Sequence, residues 1–501
     1  MSETDENVSK VKRKSSMPKN LILFTICTSI MLNAILYVIM VPILKSFLPD
    51  DSNSETEENA NEVVKFMNKL NTTEHFDDKF DVFVASKAIV QLIISMFIGS
   101  FIDYVGYDIS YFIGAFIIFS STTTFAFSYF SSTTFALSFT FLFVIRCLQG
   151  CGSAFFDTST FALIGNQYRK KEKCRHRAFG ILLVVISFGS LIAIPFSDLM
   201  YTYIGQRDLF LSLGFTVLLS GILLLFVVRP HINATKNREL TRKPRCVPIW
   251  RLLADPYVII CMLALLISNT SLALLEPTVS NWMINTNITY HRSNDINKTK
   301  MLYFDIPGFI AHLIGVFFTI WFCRIYSHHV YIIASIGLFL QGISCFIMPF
   351  YKTFGNLAFV ISICGTYFGK GVVYTALLPF LGLLVDLKRT ELYGGIYALA
   401  SISYSISDAI GPFLANYIND IFTFDIMMKV ISSVSLLYAP VLYFLRSFYR
   451  LHEYSSASIV LQPQARIYYN YNTDRLRREN GIPMKKSRSL SIIKEEKLSF
   501  V

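Results

Sequence analysis

Apolar residues run along this chain in unbroken blocks of about twenty, separated by short polar stretches, with no strict alternation inside the blocks. About twelve such blocks fall near 21–44, 81–102, 109–128, 135–165, 178–200, 209–228, 256–284, 302–323, 329–349, 356–385, 393–418 and 425–445. A helix needs about 20 apolar residues to cross a bilayer and satisfies its own backbone groups there. A membrane β-barrel would instead show alternating segments of about 10 residues. The pattern therefore predicts an all-α membrane protein. The longest polar connector between blocks, 229–255, divides them six and six. The expected organisation is a tail over 1–20, a six-helix half over 21–228 with a long polar loop at 45–80, the connector, a second six-helix half over 256–445, and a polar tail over 446–501.

Composition sharpens this picture. Only 16% of the residues are charged and the mean hydropathy is +0.48, against roughly 25% charged residues in soluble domains. The net charge of +11 does not indicate nucleic acid, because the basic residues sit between and after the spans. The nine cysteines show no metal or redox spacing, and no cofactor is implied. The first apolar block is too long for a signal-peptide core and reads as a retained span.

Lys and Arg in short loops predict orientation. "KVKRK" near the N-terminus, "RKKEKCRHR" after the fourth block, the central connector and the tail all fall on one side of a twelve-span chain, which is expected to be cytosolic. The opposite, luminal side receives 45–80 and 285–300. Sequons begin there at Asn71, Asn287 and Asn297, the glycosylation candidates. Two further sequons, at Asn233 in the connector and Asn269 inside a span, read as chance matches.

Polar groups inside the spans carry most of the functional signal. Each ionisable group at a span centre costs about 2.5–3.5 kcal/mol on insertion scales, so it persists by pairing, by facing a polar cavity, or by working. The candidates are Lys87, Arg146, Asp157, Glu276, Asp305, Lys370, Asp386 and Asp408, with His312 and Asn33 as polar members. Asp305 and Asp386 lie near span ends and also fit solvated interfacial charges. Asp157 also fits a hydrogen-bond acceptor between helices. Glu276 lies deep in its span and precedes Pro277, which is expected to break the helix locally. Lys370 and Asp408 both fall about 22 Å from the cytosolic ends of adjacent antiparallel spans, which predicts an ion pair.

The motifs "ASKAIVQL" (85–92), "RCLQGCGSAFFDTS" (146–159), "ISFGSLIAIPF" (186–196), "LALLEPTVSNWM" (272–283), "TALLPFLGLLVDLKR" (375–389), "YGGIYALASISYS" (393–405) and "LLYAPVLYFLR" (436–446) resemble the vesicular amine transporters of the major facilitator superfamily, most of all their acetylcholine branch. The resemblance covers about 20–230 and 245–450. It implies a proton-coupled antiporter that loads a cationic amine into vesicles acidified by a proton pump, by alternating access of two halves. By position it implies that Glu276 and Asp386 handle substrate and protons, that Lys87 and Arg146 are embedded bases, that Asp157 and His312 are pathway polar groups, and that Gly189 and Pro195 belong to a flexible helix contact. Asp103 matches the superfamily's loop after the second span, although Tyr104 stands where an Arg is usual.

The departures are equally specific. Asn33 stands where the family keeps a first-span carboxylate, and Ser401 where it keeps an eleventh-span acid. Asp305 and Asp408 are acids where the family is aromatic, and Lys370 replaces an apolar residue. Three readings stay open: an acetylcholine-type antiporter in a synaptic or secretory vesicle membrane, a diverged facilitator for another organic cation, and a protein that kept the fold without transport. No nucleophile–base constellation or nucleotide loop suggests an enzyme.

Overall fold

The computed structural model describes residues 20–39, 74–130, 139–169, 171–236, 249–285, 306–326, 329–350, 356–388, 392–421 and 424–447. Asp305, the sequons at 71, 287 and 297, the 45–73 part of the polar loop and the 448–501 tail lie outside them. Twelve long helices are present among the described residues: α1 (Asn20–Ile39), α2 (Glu74–Val105), α3 (Tyr107–Phe130), α4 (Phe139–Gln167), α5 (Glu172–Tyr203), α6 (Gln206–Lys236), α7 (Pro256–Asn285), α8 (Ile306–Ile325), α9 (Val330–Ile347), α10 (Asn356–Lys388), α11 (Tyr393–Ile421) and α12 (Phe424–Tyr438). A five-residue helix, Ile249–Leu253, precedes α7. Each helix overlays one apolar block.

Ten of the twelve are long and apolar enough to cross a membrane. The two that fall short are α4, which carries Arg146 and Asp157, and the serine-rich α11. Both turn polar side chains toward other helices rather than lipid, so their mean hydropathy underreports their depth. Lipid-facing positions are read from exposed apolar side chains such as Phe97, Phe226, Leu357 and Leu437, each more than 70% exposed. Lipid replaces water as the solvent for that surface.

Two turns depend on glycine. Gly106 (φ 116°) separates α2 from α3, and Gly205 (φ 87°) separates α5 from α6. A side chain in that backbone region is strained, and glycine is not. Pro440 falls where α12 tightens into the 3₁₀ segment Ala439–Leu445, as expected once a helical N–H is missing.

Pro277 does not break its helix. α7 runs continuously from Pro256 to Asn285. The ring removes the N–H that would have bonded the Ala273 carbonyl one turn back. That carbonyl instead abuts Gly411 of α11, so closely that a Cβ on Gly411 would lie 2.6 Å from it. The absence of a side chain at Gly411 lets α11 pack closely against this turn, and the helical path continues.

Helices of the two sequence halves meet directly. α2 packs along α11, and α5 along α8. The α2–α11 approach is tight because Gly99 faces Gly395 and Gly394: a Cβ on Gly99 would fall 2.8 Å from the Gly395 Cα, and one on Gly394 would fall 2.7 Å from the Gly99 carbonyl oxygen. Gly189 serves α5 in the same way against Met31 of α1, with 3.0 Å available. Pro195 lies further along α5, which stays helical through it.

Candidate functional site: a latched face and a charged interior

The polar residues gather at two levels. The first is at the membrane face that carries the α2–α3 turn. Asp103, near the end of α2, accepts hydrogen bonds from the backbone N–H groups of Gly394 (2.8 Å) and Gly395 (3.0 Å) and a longer one from the Tyr107 hydroxyl (3.4 Å). Gly394 and Gly395 lie in the first turn of α11, whose N–H groups have no partner within their own helix. A carboxylate there also meets the positive end of the helix dipole. One half of the chain thus caps a helix of the other.

Beside it, Asp386 at the end of α10 is held by three groups. Arg175 of α5 forms an ion pair with it, Tyr393 of α11 donates to it, and Arg169 lies 3.7 Å away. The Arg175 side chain is fully buried. A buried guanidinium without a carboxylate would be strongly destabilising, so Asp386 is a required partner and not an isolated interfacial charge. Tyr397 donates to the Leu378 carbonyl (3.2 Å) directly behind this cluster. Arg169 and Arg175 belong to the basic stretch that sequence reasoning used only to set orientation.

The second level is the interior. Asn33, Tyr37, Lys87, Asp157, Lys370, Tyr374, Tyr404 and Asp408 are half-buried although each lies well inside its helix. Lys87 sits over the Tyr37 ring at 4.3 Å. Asp157 accepts a hydrogen bond from Gln91 (3.2 Å), and Gln91 and Ser95 both approach Ser401 (3.5 and 3.3 Å). Arg146, 1% exposed, donates from Nη1 to Gln149 (2.7 Å) and lies 5.9 Å from the Phe83 ring.

In the other half, Asn269 of α7 donates to Asp408 (2.8 Å), and the Tyr404 hydroxyl also bonds to that carboxylate. His312 of α8 shares a short hydrogen bond with Ser187 of α5 (2.5 Å), a polar link between the halves. Glu276 is exposed, and Tyr367 reaches it at 3.4 Å.

The expected Lys370–Asp408 ion pair is absent among the described residues. The two are electrostatic neighbours, and Lys370 is the strongest charged influence on Asp408, but the carboxylate bonds to Asn269 and Tyr404. The Lys370 ammonium lies 5.8 Å from the Tyr374 ring. The pairing was inferred from depth alone, and depth fixes height in the bilayer and not rotation about the helix axis, which decides contact.

Sequence reasoning missed Gln91, Arg175, Ser187 and Asn269. The signal for Asn269 and Ser187 was available: each is a polar residue in an apolar block. No group of His, Cys, Asp and Glu among the described residues could hold a metal ion.

Comparison with known proteins decides the family. The profile of the Major Facilitator Superfamily matches residues 22–412. The vesicular acetylcholine transporter of Drosophila melanogaster is 38% identical over 460 residues, which span 90% of this chain and 76% of that protein. The chain belongs to the family of the vesicular acetylcholine transporters, within the Major Facilitator Superfamily. The vesicular acetylcholine transporter of Tetronarce californica is 36% identical over 89% of this chain and 84% of its own length. Among solved structures, the proton:xylose symporter XylE bound to 6-bromo-6-deoxy-D-glucose superimposes with a TM-score of 0.63 at 14% identity, over 85% of this chain and 96% of the symporter. That likeness establishes the shared fold. The tight glycine contacts and the Asp103 and Asp386 clusters join helices of the two sequence halves at one face.

Proposed function

We propose that the protein is a proton-coupled antiporter that loads an acetylcholine-like cationic amine into acidic vesicles. The observation that carries this reading is the interior itself. Asp157 and Asp408 are half-buried carboxylates within the helices and Glu276 is an exposed one beside Tyr367, in a chain more than a third identical to vesicular acetylcholine transporters. A cation crossing a low-dielectric barrier needs such groups, and they have little other reason to persist there. The face latched by Asp103 and Asp386 is assigned to the cytosol, with both termini on that side, in agreement with the basic loops. In this reading the latch shuts the cytosolic entrance while the carrier faces the lumen. A vesicular proton pump supplies the driving gradient.

A second reading, a facilitator without strict proton coupling, is favoured by one observation: Asn33 and Ser401 supply no charge where the family keeps acids. The test is uptake of labelled acetylcholine, choline and a monoamine into acidified vesicles bearing the protein, with and without a protonophore. Protonophore-sensitive uptake supports the antiporter. Uptake that survives collapse of the gradient supports the facilitator. No uptake of any of the three, with the protein present, removes the acetylcholine-like assignment.

A further inference from the structure

We propose that Asp408 is the counter-ion for the ammonium of the transported amine, and that Lys370 is a tethered cation which occupies its field in the empty carrier and yields to the substrate. This rests on the amine reading above and names the residue that executes it.

The geometry around Asp408 suits a cation. The carboxylate takes hydrogen bonds from the Asn269 amide (2.8 Å) and the Tyr404 hydroxyl, both neutral. They orient it and satisfy part of its hydrogen-bonding capacity, but they leave its charge unmatched in a low-dielectric setting. The positive charges that act on it are Lys370 and then Lys87, and neither is in ion-pair contact with it among the described residues. Three tyrosines, at 37, 374 and 404, lie within its electrostatic reach. A quaternary ammonium cannot donate a hydrogen bond and is bound by charge and by aromatic rings, so a carboxylate with tyrosines in its field is the chemistry that suits it.

Lys370 is held loosely. It lies 5.8 Å from the Tyr374 ring, close to the limit at which a cation–π contact counts. Its charged neighbours are Asp408 first and Glu276 second, so it sits in the field of both acids. Lys370 and Tyr374 are one helical turn apart on α10, and Tyr404 and Asp408 one turn apart on α11. A flexible four-carbon stem carrying a point charge is suited to moving aside when a better-fitting cation arrives. Asn33, one turn before Tyr37 on α1, adds polarity on that side without charge. The acid that meets the amine therefore comes from α11.

The test is equilibrium binding to the full chain in lipid nanodiscs, using labelled acetylcholine and, as competitors, unlabelled acetylcholine and its neutral carbon isostere 3,3-dimethylbutyl acetate. In the parent protein the charged competitor should be preferred at least tenfold. Asp408→Asn should erase that preference, and Asp408→Glu should keep most of it. Lys370→Met should tighten acetylcholine binding severalfold, and Asp408→Asn with Lys370→Met should be as indifferent to charge as Asp408→Asn alone. A parent that binds acetylcholine and an Asp408→Asn variant with undiminished charge preference would overturn the inference alone. Lys370→Met binding as weakly as Asp408→Asn would overturn the tethered-cation role. If the parent binds neither compound, the amine reading falls and takes this inference with it. Should Asp408→Asn fail to fold, loss of charge preference in the folded Asp408→Glu variant overturns the counter-ion role, and retention upholds it.

Discussion

Asp103→Asn tests whether the face cluster is a latch between the halves. In the structure the carboxylate accepts two backbone N–H groups of α11, at 2.8 and 3.0 Å. Hydrogen bonds to a charged group contribute about 1.5–3 kcal/mol each, and neutral ones about 0.5–1.5. An amide keeps one oxygen, so one bond weakens to the neutral value. Its NH₂ group then faces an N–H, so the second bond is lost and the charge–dipole attraction goes with it. The sum is about 3.5 kcal/mol, or about three-hundredfold in an equilibrium between latched and unlatched states. Both bonds cross from α2 to α11, so the loss falls on the latched state. The reporter is Ser95→Cys, in a background without Cys147, Cys151, Cys174, Cys246 and Cys364. Ser95 is fully buried between α2 and α11, 3.3 Å from Ser401. A membrane-impermeant thiol reagent applied from the latched side should modify it about three-hundredfold faster when Asp103 is Asn. A change of less than threefold, in protein that still unfolds cooperatively on heating, would refute the claim that these bonds hold the halves together.

Arg175→Gln and Asp386→Asn should each destabilise the latched state by about 3 kcal/mol, and the double variant by far less than their sum, since each single change strands a buried partner; additive thermal-unfolding losses would deny the coupling. Glu276→Gln should abolish protonophore-sensitive uptake, and near-normal uptake would remove Glu276 from the transport path. With Asp408 supplying the charge, Asn33→Asp should raise acetylcholine uptake less than threefold in the parent; a gain of tenfold or more would place the ammonium against α1. Gly394→Val should impair transport while Gly205→Asn is tolerated. The first inserts atoms where a Cβ already falls 2.7 Å from the Gly99 oxygen and 2.8 Å from Asp103, and the second faces open space in a left-handed backbone region that Asn accepts; equal uptake by the two would argue against the close α2–α11 contact.

The fold was legible because its cause is local. A bilayer rejects unsatisfied backbone groups, so each apolar block had to be a helix, and the twelve blocks and twelve helices agree to within a few residues at most ends. The polar members of the interior were legible for the same reason, since a charge in an apolar block announces itself. Contacts were not. Lys370 and Asp408 were expected to pair from helical rise alone and do not, while Asp386 found Arg175 more than two hundred residues away. Pro277 looked like a helix break because its missing hydrogen bond is a local fact. The close packing of Gly411 on α11 against that turn is not.

By itself, then, the sequence determined how many times the chain crosses, which residues must escape lipid, and, through its motifs, the family. The tertiary structure decided which charges meet. Hydropathy and helical rise constrain one coordinate, the depth along the membrane normal. Pairing depends on the rotation and neighbours of each helix, which are set by glycine contacts and polar bonds between residues far apart in the chain.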